Sequence, residues 1–334
     1  MKRFSLCMII MICMICFMLA ACGRVADTEE SGISDDDKYI VIGLSQVGAE
    51  SDWRVADSES MKQTFTEEKG YRLLFDDARQ KQENQIGAVR KYIQQRVDYI
   101  VLMPVGEDGW DSVLQEARHA GIPVIVVDRM VNVKDSSLVT AHVGADFYSE
   151  GKKAVEWIEG RYPSGRNLHI VHIQGTLGST AQIGRTAALD DALSKHPEWQ
   201  LLARMDGDFT QAKTYEAMND YLENAPVRPI IDVVYCENDN EAFGAIEALE
   251  AQGYLCGQGG VSVISFDATH DALVAVKNGK LSLCVECNPM LGPLVENVIQ
   301  EIEAGKVPEK NHYVEEAVFT QHDVTDELLE SREY

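Results

Sequence analysis

Basic residues are scarce in this chain. Its 334 residues hold 30 Lys and Arg against 54 Asp and Glu, a formal net charge of −24. Nucleic-acid binders normally carry a basic patch, so that class is set aside. The same shortage disfavours attachment to an anionic lipid surface through a polybasic segment. Catalytic signatures are missing too. No G-x-S-x-G, H-E-x-x-H or G-x-x-x-x-G-K-[ST] occurs. The glycine clusters at 175–179 and 257–260 lack both a phosphate-loop lysine and G-x-G-x-x-G spacing. Short internal repeats are lacking, which excludes a solenoid. Long hydrophobic runs are absent after residue 22. What remains is an ordinary globular composition, 45% apolar and 25% charged, with ample material for a core. At about 100–200 residues per domain, the length suits one large domain or two medium ones.

The one long apolar run lies at the start. Lys2 and Arg3 precede a nearly unbroken hydrophobic stretch from Phe4 to Leu19, followed by Leu19-Ala20-Ala21-Cys22. A transmembrane helix needs about 20 apolar residues, so this run is marginal as a span. Its layout is that of a signal peptide over residues 1–21, and its end resembles the lipobox of bacterial lipoproteins, with Cys22 as the lipidated new N-terminus. Cleavage makes the side-chain balance two units more negative, because only Lys2 and Arg3 leave among charged residues. Residues 22–38 form an acidic tether without apolar periodicity, unable to offset its ordering entropy. As a coil it spans roughly 20–24 Å. The folded part is therefore expected outside the cell, just above a membrane.

From Tyr39 onward, short β-branched runs alternate with amphipathic segments. Strands are expected at Tyr39–Val47, Arg72–Phe75, Tyr99–Val105, Pro123–Asp128 and Leu138–Gly144. Between them fall helices from about Trp53 to Lys69, at Gln82–Gln95 and at Asp111–Ala120. The pattern then restarts, with strands Leu168–Gln174, Gln200–Met205, Ile231–Tyr235, Val261–Phe266 and Leu281–Glu286. Helices over Tyr148–Arg161, Ala181–Lys195, Ala212–Asn224, Glu241–Gln252 and His270–Lys277 separate them, and a last helix covers about Met290–Ala304. The strands are continuous hydrophobic runs, which suits parallel sheets covered on both faces. Two successive βαβ sets of about five strands predict an α/β fold of two doubly wound parallel-sheet lobes.

In open parallel sheets, ligands bind beyond the carboxyl ends of the strands. Those positions are rich in polar residues: Ser45-Gln46, Asp76-Asp77, Asp128-Arg129, Gln174, 206–209, Asn238-Asp239, Asp267 and Glu286. Helix starts add Trp53-Arg54, after an N-cap at Ser51 or Asp52, and Arg185. Any one Asp or Asn after a strand is often only a turn residue or a cap. The Asp128-Arg129 pair alone could be a surface ion pair of under about 1 kcal/mol. The case rests on recurrence in both halves. Carboxylates accept from sugar hydroxyls, Arg donates in a fixed fork, and Trp53 and Phe209 can stack on a sugar ring. An uncharged polyhydroxylated ligand fits this set.

The layout resembles the periplasmic sugar-binding proteins of ABC transporters, in the ribose/galactose-binding class related to the effector domains of Lac-type repressors. The resemblance covers essentially everything from Tyr39 onward. It is carried by GLSQVGAESDWR (43–54), KQENQIGAVR (81–90), Pro104-Val105 with Gly109-Trp110, Asp128-Arg129 and IQGTLGS (173–179). GDFT (207–210), END (237–239), Asn288-Pro289 and Gly292-Pro293 extend it. These stretches look closest to galactofuranose-binding members. The resemblance implies a type I periplasmic binding fold whose chain crosses between lobes three times, near 145, near 268–286 and near 310. The first lobe would then comprise 39–145 plus 287–310, and the second 146–286 plus 311–334. It further implies that Asp128 and Arg129 grip a sugar beside Trp53 and Arg54, with Ser45 and Asp77 as additional contacts. From the second lobe, Arg185, Asn238 and Asp267 hold the other edge and Phe209 packs on the ring. Gln174 and Glu286 complete the set, although related pentose binders carry an amide where Glu286 stands, and an ionised carboxylate only accepts.

The implied protein is a non-enzymatic monomer without cofactor or metal. It captures a monosaccharide, D-galactofuranose foremost, and hands it to an ABC permease while a lipid on Cys22 holds it to the cell membrane. Ribose, arabinose, galactopyranose or another pentose or hexose is the alternative ligand, and a membrane receptor kinase the alternative output. A repressor would need a helix-turn-helix where the acidic tether lies. Cys284-x-x-Cys287 has redox or metal spacing, but on a strand residues i and i+3 face opposite ways, so structural or free thiols are expected. His169 and His172 meet the same obstacle, with no third ligand visible.

Overall fold

Each βα unit buries one stripe of its helix on a sheet, and two such sheets organise the chain. The computed structural model describes residues 39–334; the signal-peptide, lipid-attachment and tether expectations fall outside them. The first half runs β1 (Ile40–Gln46), α1 (Asp52–Thr64), β2 (Tyr71–Asp77), α2 (Gln82–Gln95), β3 (Tyr99–Leu102), α3 (Asp111–His119), β4 (Val124–Val127) and β5 (Ala141–Gly144). The second runs α4 (Phe147–Arg161), β6 (Leu168–Gln174), α5 (Thr180–Lys195), β7 (Trp199–Asp206), α6 (Gln211–Asn224), β8 (Val233–Cys236), α7 (Asp239–Ala251), β9 (Ser262–Asp267), α8 (His270–Lys277) and β10 (Leu283–Glu286). After these come α9 (Gly292–Glu303), β11 (Asn311–Tyr313), β12 (Val318–Phe319) and α10 (Asp326–Ser331). The sheets have orders β11-β5-β4-β3-β1-β2 and β12-β10-β9-β8-β6-β7. All pairs are parallel except β10 with β12.

Strand alternation divides each sheet into two buried faces. Ile42, Leu44, Val101, Ile125, Val127 and Val143 meet α1 and α9 through Met61, Phe65, Val295 and Val298. Ile100, Leu102, Val124 and Val126 meet α2 and α3. In the second sheet Ile173, Val234, Cys236 and Val263 meet α6, α7 and α8, while Ile170, Tyr235, Ile264 and Val285 meet α4 and α5. This two-sided burial is why the strands read as unbroken apolar runs. Gly43 is needed for the α2 contact. A Cβ there would stand 2.4 Å from Tyr92 Cγ, and the Tyr92 hydroxyl donates to Leu44 O at 2.8 Å.

The second sheet follows the first across three connections, at 145–146, 287–291 and 314–317. The third lies later than the expected 310. Asn311–Tyr313 adds β11 to the first sheet beside β5, and only then does the chain cross to form β12 on the second. The expected helix through Lys69 stops at Thr64, because Phe65 turns into the core against Tyr71, ring centroids 5.2 Å apart. Glu67–Lys69 forms a separate 3₁₀ turn. Among the described residues, no helix is long and apolar enough to cross a membrane.

Candidate functional site

The carboxyl ends of both sheets border one cleft with about 300 Å³ of unfilled space, its open mouth included. Polar contacts between the halves tie its rim. Asp52 N–H donates to Asn240 Oδ1 at 3.2 Å and Asn240 Nδ2 donates to Asp52 Oδ2 at 3.1 Å. Met130 N–H reaches Thr180 Oγ1 at 2.8 Å, and Glu107 N–H reaches Gly178 O at 3.1 Å. At the hinge, Trp53 Nε1 donates to Cys287 O at 2.6 Å.

On the first lobe, Ser51 caps α1 and aims its first turn into the cleft, accepting from Arg54 N–H at 3.2 Å. Arg54 then donates to Asp128 Oδ2 at 2.6 Å and to Glu50 Oε1 at 3.2 Å, with Asp57 Oδ2 at 3.7 Å. Gln46 Nε2 holds Asp57 at 2.9 Å. Burial alone would lower the Arg54 pKa, but Asp128, Glu50 and Asp57 outweigh it, so the guanidinium stays charged. Burial pushes Asp57 up to about 7, against the pull of Arg54 and Gln46. Arg129 contacts Glu50 Oε1 at 3.3 Å and Val105 O at 3.1 Å, and lies over the Phe209 ring at 5.2 Å. Its pKa falls, first through burial and then through Arg54. Glu50 Oε2, Arg54 Nη1 and Arg129 Nε are buried without hydrogen-bond partners. These are the atoms a bound hydroxyl can satisfy.

The second lobe repeats the device. Arg185, on the second turn of α5, donates from Nε to Glu150 Oε2 at 2.7 Å and from Nη1 to Glu237 O, and its Nη2 lies 3.7 Å from Asp267 Oδ1. Phe147 and Phe266 flank the guanidinium at 5.4 and 4.7 Å. Burial drives Asp267 well above the usual carboxylate range despite Arg185. Asn238 caps α7 through Oδ1 and donates from Nδ2 to Phe209 O at 3.2 Å. Gly175 makes room for the Phe209 ring, since a Cβ there would come within 2.0 Å of Cζ. Strand-end Asp128 and Asp267 both adopt positive φ, +61° and +104°. Such backbone is uncommon outside glycine and clusters where ligands bind.

Eight expected residues therefore border the cleft together: Trp53, Arg54, Asp128, Arg129, Arg185, Phe209, Asn238 and Asp267. Four expected residues do not. Ser45 is fully buried within β1. Asp77 is exposed and closes a turn by accepting from Arg79 N–H at 2.8 Å. Gln174 donates to Thr186 Oγ1 at 3.0 Å. Glu286 is consumed by the hinge. It accepts from Ala317 N–H at 2.9 Å, Arg332 Nη1 at 2.7 Å and the Tyr334 hydroxyl at 3.0 Å. Burial works to raise its pKa, but these donors more than offset it, so the carboxylate stays ionised. The lining also includes Glu50, Ser51, Phe147, Ala181 and Cys287. Phe147 was reachable by reading past β5 as past the other strands. Glu50 sits one step before the helix cap.

The described thiols Cys236, Cys256, Cys284 and Cys287 are free and buried. Cys284 contacts Asp239 and Ser265 in the second lobe, while Cys287 belongs to the core that joins the cleft. His169 pairs with Asp232 and His172 with Glu237, and neither joins a metal-ligand cluster among the described residues.

Residues 42–293 match the family described as periplasmic binding protein domain. The chain belongs to that family. It is 36% identical over 272 residues to the galactofuranose-binding protein YtfQ of Escherichia coli K12, covering 81% of this chain and 85% of that one. A Mycobacterium smegmatis protein crystallised with β-D-fucofuranose superposes with a TM-score of 0.80 at 40% identity, covering 85% of this chain and 92% of the other. The binding component of the arabinose ABC transporter from Shewanella sp. ANA-3, bound to L-arabinofuranose, gives 0.82 at 37%, covering 88% and 95%. The two-lobe architecture is accordingly the type I periplasmic binding fold.

Proposed function

We propose that this protein is an extracytoplasmic solute-binding protein that captures one monosaccharide in furanose form, D-galactofuranose foremost, and delivers it to an ABC transporter permease. The observation that carries this reading is the paired device of the cleft. Arg54 with Asp128 and Arg185 with Asp267 approach from opposite lobes, with Arg129 and Phe209 between them. Each Arg is held rigid by a carboxylate and a neighbouring ring, so its remaining N–H groups are pre-aimed. The furanose preference is supported by the YtfQ, Mycobacterium and Shewanella relatives. Binding would proceed by hinge closure over the three connections, with no bond made or broken. A lipid on Cys22 would hold the protein at the membrane, and Cys22→Ala should abolish lipid labelling.

Calorimetric titration of residues 38–334 with a panel of aldoses and ketoses tests the ligand. The expected result is 1:1 binding of a furanose sugar. Flat heats for every sugar would overturn the reading, and binding of a pyranose alone would overturn its furanose part.

A further inference from the structure

Beside Arg185, two carboxyls that do not line the cleft meet at the hinge. Glu150 lies on the first turn of α4, just past the first connection, and Glu316 lies in the third. Each offers an oxygen that, with Cys287 Sγ, lies in a group within 4.8 Å of one another. Glu150 is fully buried, and neither Glu150 Oε1 nor Glu316 Oε1 has a hydrogen-bond partner among heavy-atom donors. The surroundings do not supply enough positive charge. Arg185 from α5 takes Glu150 Oε2 at 2.7 Å and also faces Asp267 from β9. Lys153 from α4 donates to the Glu316 main-chain carbonyl at 3.0 Å. Tyr235 from β8 and Cys287 are neutral, both pushed upward chiefly by burial. Arg185 is thus divided between Glu150 and Asp267, and Lys153 reaches only a main-chain carbonyl, so the unpartnered oxygens of Glu150 and Glu316 have no cation of their own and a second negative charge there is expensive. A proton between the two glutamates removes it. Burial pushes Glu150 upward against the pull of Arg185, and burial with repulsion from Glu150 pushes Glu316 to about 10.

We propose that Glu150 and Glu316 share a single proton, and that Glu316 is thereby a positioning residue for the ligand site, acting on the cleft through Glu150 and Arg185. The protonated pair leaves Arg185 free to lean on Asp267 and the ligand. Ionising it sets a second negative charge beside Arg185 and draws the guanidinium toward the hinge. The shared proton does not depend on the sugar-binding reading above, and its effect on affinity rests on it.

Infrared difference spectra of the full chain at pH 8 test the proton without any sugar. Wild type minus Glu316→Gln and wild type minus Glu150→Gln should each show a protonated-carboxyl band, because removing either partner ionises the other. A band in neither difference, or in only one, overturns sharing. In the wild type alone the band should fade as the pH is raised from about 8 to about 11, a check that needs no variant; a band that persists contradicts the assignment. Sugar titrations test the positioning. The dissociation constant of the wild type should rise about fivefold between pH 8 and pH 11, and that of Glu316→Gln less than about twofold. Equal profiles overturn the positioning role. Absence of any sugar binding counts against the proposed function and leaves the infrared result to decide the proton.

Discussion

Replacing Arg54 with Met keeps most of the volume of the side chain and removes its charge. The structure sets the cost. Arg54 is 2% exposed and is the nearest cation to Asp128 and Asp57, sharing Glu50 with Arg129. Without it three buried carboxylates face one guanidinium. Stranding a buried charge this way costs about 3–5 kcal/mol. At roughly 2–4 °C per kcal/mol for a unit of this size, thermal unfolding at pH 8 should fall by about 6–20 °C. The loss should depend on pH. Asp57 titrates near 7 in the folded protein, above its ordinary 3.8. A raised carboxyl contributes its full stability below the ordinary value and loses it as pH rises through the folded one. The wild type should therefore weaken between about pH 4 and 7 through Asp57. In Arg54→Met the stranded group takes up protons more readily still, so the penalty at pH 5 should be visibly smaller than at pH 8. Calorimetric scans of both proteins at the two pH values decide it. An unchanged melting temperature at pH 8, or the same loss at both, would refute the charge balance described for the first lobe.

Other outcomes follow from the same geometry. Arg129→Ala and Asp267→Ala should each weaken sugar binding by at least about 2 kcal/mol, measured by titration, because truncation leaves buried partners unpaired; unchanged affinity in both would mean the pocket is misplaced. Gly175→Ala should push the Phe209 ring out of position and weaken binding, with a stability cost of about 1–3 kcal/mol; a variant that binds as the wild type does would show the ring is not part of the grip. Glu286→Gln should lower stability in denaturant titrations, through Arg332 and the Ala317 amide, while changing sugar affinity less than about threefold. A large affinity loss there would return Glu286 to the site.

Much of this layout is legible in the sequence because parallel sheets buried on both faces demand continuous apolar strands. Leu168–Gln174 can be read to the residue for that reason. β11 and β12 escape notice because they are three and two residues long, and most of their residues are not fully buried. No periodicity survives in so short a run, and only the pairing with β5 and β10 makes them strands. The strand-end rule recovers Asp128, Arg129, Asn238 and Asp267 because both lobes aim the same ends at one cleft. It misplaces Asp77 and Glu286 for separate reasons. Asp77 leaves an edge strand, where the strand end meets solvent. Glu286 lies at the hinge, where donors distant in sequence, Arg332 and Tyr334, claim its oxygens. Glu316, whose neighbour Glu150 is 166 positions away by number, has no sequence signal at all.

The central claim is that one sugar is held by both lobes at once. A crystal structure of the protein grown with D-galactofuranose tests this most directly. The account predicts a single furanose ring in the cleft against Phe209, hydrogen-bonded to Arg129 on one side and to Arg185 or Asp267 on the other. A sugar bound to one lobe alone, or outside this cleft, would contradict it.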